Sequence, residues 1–148
     1  MTAEEVYVDP SALCRLYLNQ AGLREMSSWR RRLVGSLPVT HHGRTEIINT
    51  ICRAAFSGQF DGKQMAEALA EVDEDFASRR LHQADILWRA ALNRAGELSR
   101  AHTPAMGTRA ADVLHVACAL ELKLRHFLTF DDRQRKLAAA AGLKTIKL

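Results

Sequence analysis

The fold is decided by the segment Val6-Tyr7-Val8-Asp9-Pro10-Ser11-Ala12-Leu13, in which a short β-branched run ends at an acidic residue. The apolar run predicts a buried β-strand, and the segment from Ser11 onward predicts a helix. A carboxylate at the end of a buried strand is costly to remove from water unless another group compensates for it. Asp9 is therefore either the cap of the following helix or part of a functional site.

Glu46 and Asp112 also stand beside apolar segments. Glu46 belongs to Thr45-Glu46-Ile47-Ile48-Asn49, where Thr45 is predicted to cap a helix. A favourable interaction with the helix dipole is therefore enough to explain an acid at this position. Asp112 lies within the otherwise apolar helix predicted for residues 110–120, where an unpaired carboxylate is costly. Thr108 is the predicted cap of that helix. The position of Asp112 therefore favours a function more strongly than the position of Glu46 does.

A fourth acid, Asp131, follows a strand predicted for residues 125–130. Either Asp131 or the adjacent Asp132 can cap the next helix, since aspartate is a preferred N-cap residue. We expect Asp131 to serve a metal and Asp132 to form the cap or an outer contact. Asp9 and Asp131 would then both lie at the carboxyl ends of strands, where ligands bind in open α/β sheets.

Four acids that converge on one site require a cation. At an effective dielectric constant near 20, each close pair of like charges repels by roughly 4 kcal/mol. A divalent cation removes this repulsion, and oxygen-only ligands favour Mg²⁺ or Mn²⁺ over zinc. The sequence therefore predicts one or two ions that activate water for attack on a phosphodiester. The predicted metal ligands are Asp9, Glu46, Asp112 and Asp131.

Strands alternate with helices along the chain, which predicts a parallel sheet covered on both faces. The predicted strands cover residues 6–9, 37–40, 81–82, 125–130 and 143–146. The longest predicted break between helices lies at residues 103–107. We expect one α/β domain over residues 1–148, with three α/β/α layers and a short central parallel sheet.

Composition limits the class of protein. The chain has 47% hydrophobic and 26% charged residues, which excludes disorder as its main state. No apolar run approaches the roughly 20 residues of a membrane span, and the acidic start at residues 1–5 is unlike a signal peptide. Three scattered cysteines predict reduced core thiols and a cytoplasmic protein. The net charge of +4 is compatible with a polyanionic partner.

The four acidic segments resemble the motifs of the PIN-domain ribonucleases, and of VapC-type toxins in particular. The resemblance spans nearly the whole chain and is carried by Val8-Asp9-Pro10-Ser11-Ala12-Leu13, Thr45-Glu46-Ile47, Ala111-Asp112-Val113-Leu114-His115-Val116-Ala117 and Leu128-Thr129-Phe130-Asp131. It implies a PIN-like fold and a magnesium- or manganese-dependent endoribonuclease in which the four acids are the catalytic metal ligands. It also implies an RNA substrate, a cognate antitoxin protein and a toxin homodimer. Pro10 stands where a threonine is more common and removes a backbone donor beside Asp9.

Further residues are candidates for supporting roles. The hydroxyls of Ser11 and Thr129 can hydrogen-bond the carboxylates, although both residues also suit turns or caps. His115 lies one turn after Asp112 and can orient it, although a hydrogen-bonded core histidine is the commoner case. The candidate RNA contacts are Arg109, Arg133, Arg135 and Lys136, with residues 30–32 and 79–80 as further basic runs. Each basic run is also compatible with an ordinary solvated helix face.

Two other functions are compatible with the same residues. One is a PIN-like RNA-binding or regulatory module without catalysis, against which stands the fact that all four acidic positions are filled. The other is a magnesium phosphohydrolase of small molecules. Cleavage of RNA but not of nucleotide monophosphates would distinguish the ribonuclease from this phosphohydrolase. The chain has no P-loop or GxGxxG segment, so an NTPase or a dinucleotide enzyme is not expected.

Overall fold

The central layer consists of five short strands, all paired in parallel, in the computed structural model, which describes the whole chain from Met1 to Leu148. The strands are β1 Val6–Val8, β2 Leu37–Thr40, β3 Leu81–Ala84, β4 His126–Leu128 and β5 Lys144–Ile146. β4 lies between β1 and β5, with Tyr7 aligned to Phe127, and β2 pairs with β3. β1 also packs against β2. The predicted parallel arrangement is confirmed.

Helices cover both faces of this layer. They are α1 Pro10–Leu13, α2 Leu23–Arg32, α3 His41–Phe56, α4 Gly62–Ala77, α5 Trp88–Met106, α6 Ala110–Glu121 and α7 Asp132–Ala140. Alternate residues of a strand face opposite sides, so Val6 and Val8 enter one core while Tyr7 enters the other. The first core is closed by α1 to α4 and the second by α5 to α7. The predicted three-layer α/β/α fold is therefore confirmed.

The helix that carries Glu46 begins earlier than predicted. α3 starts at His41, and the hydroxyl of Thr40 accepts a hydrogen bond from the Gly43 N–H at 2.9 Å. Thr45 does not cap the helix, because its hydroxyl donates to the His41 carbonyl one turn back. The prediction for Thr45 was wrong because β2 runs directly into α3 and its last residue serves as the cap. Glu46 therefore lies in the second turn, where the helix dipole has less effect.

The predicted break at residues 103–107 is also absent. α5 continues through Pro104 to Met106 and ends at Gly107, whose φ of 64° is a conformation that glycine adopts without strain. Proline removes one hydrogen bond from a helix. α5 packs extensively against α6, and tertiary packing of this kind supplies most of the stability of helices in proteins.

The start of α6 and the ends of two strands also differ from prediction. The N-cap of α6 is Arg109, while the hydroxyl of Thr108 pairs with that of Thr103 at 2.8 Å. β1 and β4 are each shorter than predicted. Asp9, directly after β1, and Asp131, three residues after the end of β4, each cap the helix that follows.

The cysteines are all free, with Cys14 and Cys118 buried and Cys52 half buried. Burial raises the pKa of both buried thiols to about 11, so they remain protonated at neutral pH. The prediction of core thiols holds for these two and not for Cys52. None of the helices combines the length and the hydropathy that a membrane crossing requires.

Candidate functional site

Three of the four predicted acids lie at the carboxyl-terminal edge of the strands. Asp9 follows β1 directly, Asp112 lies in the first turn of α6, and Asp131 is the N-cap of α7. We call Asp9, Asp112 and Asp131 the carboxylate cluster. Asp112 and Asp131 line a cavity of about 500 Å³, whose other lining residues are Gly107, Thr108, Arg109, Asp132 and Arg133. Asp9 is more deeply placed, with 4% of its surface exposed.

Asp9 receives hydrogen bonds on both of its carboxylate oxygens. Its Oδ2 accepts from the Ser11 N–H at 3.1 Å and from the Ser11 hydroxyl, and its Oδ1 accepts from Gln134 Nε2 at 2.9 Å. Asp9 is thus a helix cap and also the partner of a residue on the distant helix α7. Pro10 occupies the first position of α1, where a backbone N–H has no partner within the helix. The absence of a backbone N–H at Pro10 therefore removes no hydrogen bond from the helix.

Gln134 connects the members of the carboxylate cluster and was not singled out from the sequence. Its backbone N–H donates to Asp131 Oδ1 at 3.0 Å, and its Nε2 donates to Asp9 and, at 3.3 Å, to the Asp112 carbonyl. The side chain is 1% exposed, and its Oε1 has no hydrogen-bond partner. An amide buried beside three acids indicates a role in positioning them. The signal in the sequence was its place three residues after an aspartate at a helix start.

The carboxylate cluster carries an excess of negative charge. Burial raises the pKa of Asp112, and the charges of Asp9 and Asp131 raise it further, while His115 and Arg109 act in the opposite direction. A divalent cation would relieve this repulsion, and carboxylate oxygens are the ligands that Mg²⁺ and Mn²⁺ prefer. The residues of the cluster therefore fit a hard divalent cation.

The fourth acid has different partners. Glu46 accepts from His42 Nε2 at 2.7 Å, and both of its oxygens lie 3.1 Å from His115 Nε2. The other ring nitrogen of His115 pairs with the Tyr7 hydroxyl at 2.7 Å. We call His42, Glu46 and His115 the histidine–glutamate cluster. Glu46 is thus bound to two imidazoles, a set of partners that the sequence did not reveal.

Glu46 and His115 shift each other's pKa within the histidine–glutamate cluster. Burial alone would raise the pKa of Glu46, but the hydrogen bond and charge of His115, together with those of His42, hold it below its usual value. His115 is 2% exposed, and burial alone would lower its pKa. The hydrogen bond with Glu46 and the charges of Asp9, Glu46 and Asp112 outweigh burial and raise it. The two clusters are therefore electrostatic neighbours.

His115 does not orient Asp112, although its position one turn after this acid had suggested that it could. It is a hydrogen-bonded core histidine whose partners are Tyr7 and Glu46. The alternative interpretation, a satisfied core residue, therefore describes its surroundings better. His115 lies one turn after Asp112 on α6 and points into the protein interior, where its partners come from β1 and α3.

The expected division between Asp131 and Asp132 was wrong as regards the cap. Asp131 caps α7 through Oδ1, whereas Asp132 is the first helical residue and pairs with Arg135 three residues later. The Thr129 hydroxyl accepts from the Asp131 N–H at 3.1 Å, so Thr129 is a turn residue and binds no carboxylate. The cap uses one oxygen of Asp131, and the same residue lines the cavity.

The basic candidates fall into two groups. Arg109 and Arg133 line the cavity beside the acids, and Lys136 is exposed on α7. Arg135 pairs with Asp132 and donates to the Thr129 carbonyl at 2.8 Å, and its side chain is 16% exposed. Its guanidinium is therefore already occupied within the protein.

Arg30 is a structural residue, contrary to the prediction that residues 30–32 are candidate RNA contacts. Its guanidinium is buried and donates to the carbonyls of Leu33, Gly35 and Arg80 at 2.9–3.1 Å. A second cavity, of about 430 Å³, lies beside it. There Arg80 pairs with Asp75, whose other carboxylate oxygen accepts a hydrogen bond from the Tyr17 hydroxyl.

Comparison with known proteins identifies the family. No curated protein matches the chain. The family model of the PIN domain matches residues 6–140, a range that includes both clusters and most residues of both cores. PIN domains are typically nucleases and generally metal-dependent hydrolases, which agrees with acids gathered at the carboxyl ends of parallel strands. The chain belongs to the PIN-domain family.

Proposed function

We propose that the chain is a metal-dependent endoribonuclease that hydrolyses RNA phosphodiester bonds. The observation that carries the proposal is the carboxylate cluster, in which three acids from different elements meet beside a polar cavity. Like charges gathered in this way raise the pKa of Asp112 even with Arg109 nearby, which indicates a place for a cation. Under this proposal Asp9, Asp112 and Asp131 are ligands of Mg²⁺ or Mn²⁺, and Glu46 is a fourth ligand or binds through an outer contact.

Each of these side chains has a defined task in the proposed site. Ser11 and Gln134 hold the Asp9 carboxylate in one orientation, because both of its oxygens already receive hydrogen bonds. Asp131 is fixed by its cap bond to the helix. A bound divalent cation would supply Lewis acidity toward water and the phosphodiester and would stabilise the leaving oxygen. No histidine, serine or cysteine is needed as a nucleophile.

The cavity also offers groups for the substrate backbone. Arg109 and Arg133 flank the acids, so a phosphate held by these guanidinium groups would lie next to the cluster. Lys136 extends the same basic surface along α7. Arg135 is the weakest of the predicted RNA contacts, because its guanidinium is already paired.

We also propose that the protein is the toxin of a toxin–antitoxin pair and acts in the cytoplasm, as one domain over residues 1–148. The support is the resemblance of the four acidic segments to VapC-type toxins. That resemblance further predicts a cognate antitoxin protein and a homodimer.

Cleavage of a mixed pool of transfer and ribosomal RNA tests the enzymatic proposal. Purified protein is incubated with Mg²⁺, with Mn²⁺ and with EDTA, alongside Asp9→Ala and the control Asp73→Ala, an exposed helix acid outside both clusters. We expect metal-dependent cuts with the wild type and the control, and none with Asp9→Ala. Equal cutting by Asp9→Ala, or cutting that persists in EDTA, would contradict the proposal.

A second candidate function is RNA binding without catalysis. The observation that favours it is the engagement of Glu46 by His42 and His115, which leaves only three of the four acids to hold a catalytic metal ion. A filter-binding measurement on the same RNA pool separates the two functions. Metal-dependent binding of intact RNA with no cleavage at any metal concentration would favour the binding module.

A further inference from the structure

We propose that His42, Glu46 and His115 form a transition-metal site that binds Zn²⁺ and is distinct from the carboxylate cluster. One ligand atom from each residue lies within 4.8 Å of the others. Two imidazole nitrogens and one carboxylate are a ligand set that zinc uses in proteins.

The spacing of the ligand atoms fits a tetrahedral ion. Neighbouring ligands of a tetrahedral Zn²⁺ at about 2.0–2.1 Å are roughly 3.4 Å apart. The contacts of Glu46 with His42 and His115 measure 2.7 and 3.1 Å. An ion would therefore replace the protons shared in these contacts and widen the two distances by about 0.7 and 0.3 Å. His42 and Glu46 are one turn apart on α3, and His115 comes from α6.

The surroundings prepare these side chains for a metal. Histidine ligands are oriented when the second ring nitrogen is hydrogen-bonded, and His115 Nδ1 meets the Tyr7 hydroxyl at 2.7 Å. This contact leaves His115 Nε2 as the nitrogen that faces Glu46. The edge of Trp88 packs against the His42 ring, with 6.1 Å between the ring centroids. The His42 side chain is 44% exposed, so solvent can reach the cluster and provide a fourth ligand.

The donor atoms of the two clusters select different ions. The carboxylate cluster offers oxygen only, which suits Mg²⁺ and Mn²⁺. Imidazole nitrogen suits zinc and later transition metals, and the order of affinities places Zn²⁺ above Mn²⁺ at such a site. Mg²⁺ is a poor competitor there because it dehydrates reluctantly and prefers oxygen ligands.

Zinc at this site would also affect cleavage, a consequence that rests on the proposed function. Glu46 would be a zinc ligand beside the two histidines and would no longer be free to serve the metal ion of the carboxylate cluster. We expect Zn²⁺ to lower Mn²⁺-supported cleavage in the wild type and to lower it less in His42→Gln. The binding measurement below does not depend on cleavage, so the two proposals can fail separately.

Cobalt substitution tests the site. Metal-free protein is titrated with Co²⁺, whose visible absorption bands report tetrahedral nitrogen and oxygen ligands, and Zn²⁺ is then added to displace it. Loss of a second-shell partner typically weakens a metal site 10- to 100-fold, so removal of a direct ligand in His42→Gln should weaken Zn²⁺ binding at least about 100-fold. The exposed neighbour His41 provides the matched control His41→Gln, which should bind as the wild type does.

Asp112→Asn separates this site from the carboxylate cluster, and it should retain Zn²⁺ binding. His115→Gln, checked for folding by circular dichroism, should lose it as His42→Gln does. Equal binding by wild type and His42→Gln would overturn the proposal. Loss of binding in Asp112→Asn with retention in His42→Gln, or displacement of zinc by excess Mg²⁺, would also overturn it.

Discussion

The carboxylate cluster and the histidine–glutamate cluster are neighbours with opposite electrostatic states. In the first, burial and like charges raise the pKa of Asp112. In the second, two imidazoles hold the pKa of Glu46 below its usual value, even though burial alone would raise it. All four acids matched one motif pattern in the sequence. The role of an acid in this pattern therefore depends on the groups that the fold places beside it.

The largest expected effect comes from a neutral replacement within the carboxylate cluster. Asp112→Asn should lower metal-supported cleavage by about 10²–10³-fold, comparable to the loss of an electrostatic group at other active sites. In EDTA its thermal midpoint should equal or exceed that of the wild type, because one of three like charges is removed. Single-turnover cleavage and thermal unfolding measure the two effects. Cleavage within about twofold of the wild type would contradict the assignment.

The corresponding change in the histidine–glutamate cluster should alter stability in the opposite direction. Glu46→Gln removes the charge that faces the buried His115 and the partly exposed His42, and loss of these contacts costs about 1 kcal/mol. For a chain of this size that corresponds to a fall of roughly 2–4 °C in the thermal midpoint without metal. If Glu46→Gln and Asp112→Asn shift the midpoint equally, the two clusters do not differ as proposed.

Gln134 tests whether positioning matters within the carboxylate cluster. Gln134→Met keeps the volume of the side chain and removes the donor to Asp9 Oδ1. We expect the apparent affinity for Mn²⁺, measured from the metal dependence of cleavage, to fall about 10- to 100-fold. Zinc binding at the histidine–glutamate cluster should not change. An unaltered Mn²⁺ dependence would show that Gln134 serves only the packing of α7.

The pH dependence of stability should report on His115. Its pKa is raised in the folded protein, so its contribution is complete below the unfolded value of about 6.5 and is lost as the pH rises through the folded value. In EDTA, the urea midpoint of the wild type should therefore decrease as the pH is raised from the unfolded pKa of His115 to its folded pKa. His115→Gln should lack this fall, and the control His41→Gln should retain it. A fall of equal size in His115→Gln would assign it to another group.

The smallest effect is expected from the basic edge of the cavity. Arg133→Ala should weaken RNA binding and lower the slope of log affinity against log salt by about 1, if it contacts one phosphate. Arg135→Ala should change this slope less, because its guanidinium is already paired with Asp132. Both are measured in the Asp112→Asn background, so that the RNA stays intact. Equal slopes for the two variants would remove the distinction between free and paired arginines.

The α/β class and the places of three acids were predictable, since they depend on local patterns. Alternation of apolar strands and helices gave the parallel sheet, and Asp9 and Asp131 were expected at strand ends because each directly follows an apolar run. The first and last residues of the helices were less predictable. Thr45 suited a cap as well as Thr40 did by residue type, and only the continuation of β2 into α3 decides between them.

The amino-acid pattern alone predicts a parallel α/β fold with acids beside buried segments and with no alternative nucleophile in a recognisable motif. Which of these groups face one another depends on how the helices and strands pack. Gln134 reaches Asp9 across 125 positions of the chain, and His115 reaches Glu46 across 69. Contacts of this kind depend on the packing of α3, α6 and α7 around the strand ends. Local patterns carry no information about that packing, because each pattern reports only the preference of its own segment.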